Sequence, residues 1–158
     1  MNRRESIKYI LIASGSAVAF PGWGEPAEQD ILASVADTII PGKNGMGALA
    51  VGVDRFLQRL FDNCYEIDAQ ENIKKQLAAL NANAQSAHQK SFSQCNQQQR
   101  EALLLRFSDS SDKAEKDFFT TMKSETIRGF NTSKEVMLQH LKYKIAPGHY
   151  YGCVDVKA

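Results

Sequence analysis

The chain has 158 residues, 19 basic and 18 acidic, and a net charge of +1. That is the length of one domain, and the even balance argues against a nucleic-acid binder, which concentrates a basic excess on one face. With 43% apolar and 23% charged residues the composition is that of a globular domain, and no uninterrupted apolar run reaches the roughly 18 residues of a membrane span.

Residues 1–19 read as an export signal. Arg3, Arg4 and Lys8 form a basic start, a short apolar stretch runs from Tyr9 to Phe20, and Ala17-Val18-Ala19 offers a small-x-small cleavage site. The paired arginines and the weakly hydrophobic middle are similar to a twin-arginine (Tat) signal, the route of proteins that fold before export. Ser6 departs from that pattern, which usually has a bulky apolar residue there. The competing reading, a first helix over Ser6–Ala19, is weakened by poorly separated helical faces. No cysteine follows the apolar stretch, so a lipid anchor is not indicated.

Residues 26–158 form the mature domain. Pro26 suits a first helical turn, and Ile31, Leu32, Val35 and Ile39 continue a helix that Pro41-Gly42 stops. A glycine-rich loop covers residues 42–50. Val53, Phe56, Leu57, Leu60 and Phe61 then give the clearest helical stripe in the chain. From Val53 to Ile127 there is neither glycine nor proline, and strand-like alternation is missing, so this stretch reads as helices joined by polar turns.

Asp68 with Glu71 predicts a capping box opening a long helix through Ile73, Leu77 and Leu80, whose Ala-, Asn- and Gln-rich far end lies at the surface. Asn96 with Gln99 predicts another box, ahead of Leu103, Leu104 and Phe107. Asp112 to Gly129 makes the next helix, with Phe118, Phe119, Met122 and Ile127, and Gly129 as its left-handed terminal residue. Thr132 with Glu135 caps a last helix through Val136, Leu138 and Leu141, and Pro147-Gly148 ends regular structure. The expected fold is all-α: about six helices in one bundle-like domain, with an irregular aromatic tail to Ala158.

Chemistry is sparse. The glycines at 42, 45, 47 and 52 lack dinucleotide spacing, and no haem-attachment or zinc pattern of cysteines occurs. His88, His140 and His149 lie on separate predicted elements, and a metal set from His140, His149 and Cys153 has no spacing signature. No catalytic, cofactor-binding or metal residue is therefore assigned. Cys64, Cys95 and Cys153 are an odd number for an oxidising compartment, which predicts one disulfide and one free or intermolecular thiol. Three pairings remain open on these grounds.

Three blocks resemble the gluconate 2-dehydrogenase subunit 3 family. The first is Ala36-Asp37-Thr38-Ile39-Ile40-Pro41, followed by Gly47-Ala48 and Gly52-Val53. The second is Phe118-Phe119, Lys123, Thr126, Gly129-Phe130 and Thr132-Ser133. The third is Leu141-Lys142-Tyr143, Pro147-Gly148, Tyr150 and Gly152-Cys153. Asn44 and Met46 depart from the family's usual acid and proline.

The resemblance implies a partner more than a reaction: a non-catalytic small subunit beside a large FAD-dependent dehydrogenase that oxidises sugars, sugar acids or polyols. A c-type cytochrome subunit carrying haem often accompanies it. The small subunit supplies the Tat signal that takes the folded, FAD-loaded partner through the Tat translocase to the periplasm, where the complex is membrane-associated through its partners. The substrate pocket belongs to the large subunit, so this chain does not name the substrate.

Two contact surfaces are expected. One is the loop with Pro41, Gly47, Gly52 and Val53; the other is the tail with Tyr143, Pro147, Gly148 and Tyr150. Their irregular backbone and apolar or aromatic groups suit an interface, although turn geometry and core packing explain the same residues. The family's more typical cysteines match Cys64 and Cys153. Cys64 ends the striped helix and Cys153 sits in a tail that needs fixing, so these two are the expected disulfide. Cys95 is then left as a small surface or half-buried residue. Two other classes stay open: a free-standing periplasmic binding module, and an enzyme using His140 or His149 with a metal.

Overall fold

Six α-helices and one 3-10 turn, with no strand among the described residues, bear out the all-α expectation. The computed structural model describes residues 26–42, 45–144, 146 and 148. Arg3, Arg4, Lys8, Ala17 and Ala19 of the expected signal, and Pro147, His149, Tyr150 and Cys153 of the tail, lie outside the described residues.

The helices are α1 (Pro26–Ile39), α2 (Val53–Cys64), α3 (Ile67–His88), α4 (Gln97–Asp109), α5 (Lys113–Asn131) and α6 (Lys134–Gln139), with the 3-10 turn Phe92–Gln94 between α3 and α4. α5 is the hub, touching every other α-helix. The core follows the sequence stripes. Leu32 and Val35 of α1, Leu57 and Phe61 of α2, Leu77 and Leu80 of α3, Leu103 and Phe107 of α4, and Phe118 and Met122 of α5 are all buried. Burial of these side chains removes apolar surface from water and supplies the main driving force. Phe107 and Phe118 meet with ring centroids 5.8 Å apart, locking α4 to α5.

The end of α1 is closed by α4. The Gln97 side-chain amide donates to the Thr38 carbonyl at 3.0 Å, and Arg100 donates to the Asp37 carboxylate at 2.9 Å. The first bond satisfies a carbonyl that a helix C-terminus leaves open, and the second sets a cation near its negative end. The loop after α1 is pinned by Ala48 N–H donating to the Ile40 carbonyl at 2.9 Å. Inside it, a Cβ on Gly47 would stand 2.5 Å from the Gly42 backbone, so only glycine closes the pinch.

Five expectations need correction. The Asn96–Gln99 capping box forms, with both reciprocal bonds present, but the Asp68–Glu71 box does not. α3 already starts at Ile67 after Glu66, which makes no side-chain cap bond. The joint is held instead by Gln70, whose amide donates to the Tyr65 carbonyl at 2.9 Å. Gly129 is no left-handed terminus. It lies inside α5, where an added Cβ would come within 2.5 Å of the Phe56 ring.

Thr132 ends α5 in a right-handed conformation, and Ser133 caps α6 in its place. The left-handed residue of this region is Lys142, φ 51°, and Leu141 stands exposed after the helix. Cys95 is buried in the core, deeper than a half-buried residue, because the 3-10 turn tucks Phe92 and Cys95 under α3. Asn81 fixes that turn by accepting the Phe92 N–H at 3.0 Å.

Candidate functional site

The inward stripe of α2 leaves Arg55 and Arg59, four residues apart, on one outer flank of the helix. They line an open groove of about 680 Å³ whose rim includes Ala50 to Gly52 of the loop, Cys64 at the end of α2, Arg128 of α5 and Glu135 of α6. Phe56 and Leu60 give it an apolar floor.

The floor is braced from α5. The Phe56 ring lies against Gly129, whose lack of a side chain lets α2 and α5 approach. The Arg128 guanidinium sits over the same ring, 5.8 Å from its centroid. Arg128 also reaches Glu125 Oε2 at 3.2 Å, an ion-pair distance without hydrogen-bond alignment to that oxygen. Tyr65 donates its hydroxyl to Glu125 at 3.4 Å. Burial first, and the Glu125 charge second, hold the Tyr65 hydroxyl above its ordinary pKa. Arg55 and Arg59 form no ion pair among the described residues.

A second concave region has different chemistry. Two adjoining hollows, about 400 and 310 Å³, share Phe119 and Lys123 and run between α4, α5 and the end of α1. Leu105 and Ile127 are exposed along this seam. Its cations are lysines, with Lys123 lying 6.0 Å over the Phe119 ring.

The expected contact residues divide. Gly52, φ 74°, lines the groove. Gly47 and Val53 are enclosed by the chain's own atoms and Pro41 is half-buried, while Gly42, Gly45, Leu49 and Ala50 are the exposed described residues of the loop. Tyr143 and Gly148 are exposed beyond α6 and do not line the groove. Cys64 is exposed at the groove's end, and its expected partner Cys153 lies outside the described residues.

Sequence reasoning missed Arg55, Arg59 and Arg128. The Arg55/Arg59 spacing was a readable signal, but nothing in one sequence tells that Arg128 crosses over to join them. Among the described residues no three His, Cys, Asp or Glu side chains come together as a metal site, and no helix is long and apolar enough to cross a membrane.

The family model described as gluconate 2-dehydrogenase subunit 3 matches residues 26–148. No curated protein and no solved structure gives a match.

Proposed function

Because the chain belongs to the gluconate 2-dehydrogenase subunit 3 family, we propose that it is the non-catalytic small subunit of a periplasmic flavin-dependent dehydrogenase acting on sugars, sugar acids or polyols. The observation that carries this reading is the extent of the match: it covers all six helices, the loop after α1 and the tail as far as Gly148. In this reading the large subunit holds FAD and the substrate pocket, and a c-type cytochrome receives the electrons. The Arg3-Arg4 leader acts as the Tat signal for the pair. The small subunit exports its folded partner, stabilises it, and stays with it at the membrane.

The geometry favours a subunit over a free-standing binding module. Small-molecule sites are enclosed and bury most of their ligand, whereas the groove and the seam are open to solvent and suit a macromolecular surface.

The test is export. Arg3→Lys with Arg4→Lys is expected to leave this chain in the cytoplasm together with any flavoprotein lacking its own signal. Fractionation and dehydrogenase activity measure the outcome. Undiminished periplasmic activity in the double variant would refute the escort role.

A further inference from the structure

Resting on the subunit reading above, we propose that the arginine groove seats a carboxylate-bearing segment of the large dehydrogenase subunit. The whole chain has a net charge of only +1, yet three guanidiniums line one groove in which Glu135 is the only acid among the described residues. Arg128 is already matched by Glu125. Arg55 and Arg59 are exposed, sit one helical turn apart, and lack an acidic partner among the described residues. Like charges at that spacing repel, and an incoming pair of carboxylates removes the repulsion.

The floor adds a second requirement. Phe56 is wedged against Gly129 and covered by Arg128, so its ring is fixed before any partner arrives. Arginine and rigid aromatic side chains concentrate at interface centres because a planar guanidinium grips a carboxylate with two parallel bonds and a held ring loses little entropy on binding. The segment that fits therefore carries two Asp or Glu residues for Arg55 and Arg59. Beside them it has an apolar or aromatic side chain for Phe56 and Val51.

Two other occupants fit the charge less well. In this chain's own residues 149–158, Asp155 is the single side-chain carboxylate and is offset by Lys157, so that segment cannot supply a pair of carboxylate side chains. A second copy docked groove to groove would set arginines against arginines.

The experiment uses the full chain, affinity-tagged and produced together with its flavoprotein. Arg55→Glu with Arg59→Glu is expected to weaken the complex at least ~30-fold, with faster dissociation and a shallower salt dependence of association. Its helical circular dichroism should match wild type. Leu105→Ser, on the seam, should retain the flavoprotein as wild type does. A photo-crosslinker placed by Ala50→p-benzoylphenylalanine should join an acidic peptide of the flavoprotein.

Retention of the flavoprotein by Arg55→Glu/Arg59→Glu at wild-type strength overturns the inference and leaves the subunit reading standing. So does a crosslink to residues 149–158 or to a second copy. If the wild-type chain itself retains no flavoprotein, the subunit reading fails and the inference with it. Should the charge reversal disturb folding, Arg55→Ala with Arg59→Ala and the Ala50 crosslink decide by the same criteria.

Discussion

The arginine groove and the apolar seam lie on the same hub helix, α5, and expose different things. The seam offers Leu105, Phe119 and Ile127 with lysines at its edge, side chains that suit almost any apolar surface. The groove offers guanidiniums over a ring that Gly129 and Arg128 hold from two sides. Exposed apolar area alone does not specify a partner. Charge braced by packing does, since it rejects neutral or basic segments as well as accepting acidic ones.

Covalent bracing is the largest difference that can be tested. The expected Cys64–Cys153 bond would tie the groove's end to the tail across about 90 residues, contributing about 4–5 kcal/mol on the chain-entropy account. Non-reducing peptide mapping of periplasmic protein should give that one cross-linked peptide, and reduction should lower the melting temperature. Three alkylatable thiols, or a bridge to Cys95, would leave the groove no more braced than the seam.

The next effect is steric. Gly129→Leu forces the Phe56 ring out of its contact and is expected to cost about 2–3 kcal/mol, as overpacking does. Denaturant unfolding measures it, and the same variant should lose affinity for the flavoprotein because the groove floor has moved. A variant as stable as wild type would mean that the ring is free to move and the bracing is illusory.

The smallest effect belongs to the seam. Ile127→Ser, at an exposed position, should change stability by no more than ~0.5 kcal/mol and leave flavoprotein binding intact. A large loss of binding there would reverse the ranking of the two faces.

The helical body was legible because its signals are local. The α2 stripe, the Asn96–Gln99 box and the breakers at Pro41-Gly42 act within a few residues, and the structure keeps all of them. The errors arose where another side chain decides, distant in one case and adjacent in the other. Gly129 reads as a terminus until Phe56, 73 positions earlier, is seen to fill the space beside it. Asp68 and Glu71 have cap-like spacing, but Gln70 ties the joint from the neighbouring position. The groove needed three elements to converge: the Arg55/Arg59 pair was visible in the sequence, while its meeting with Arg128 and Glu135 was not.

The closure of α1 by Gln97 and Arg100 sets a clock on synthesis. Asp37 leaves the ribosome 63 residues ahead of Arg100. At about 5–20 residues per second, that is a wait of about 3–13 s. For that interval the Thr38 carbonyl lacks its Gln97 donor and the Asp37 carboxylate its Arg100 partner, so the helix end is less well held until α4 emerges. A chain stalled or truncated before Gln97 therefore presents an α1 without its lid, whereas one whose Arg100 has emerged can close it. The ordering of the first helix is thereby tied to the arrival of the fourth.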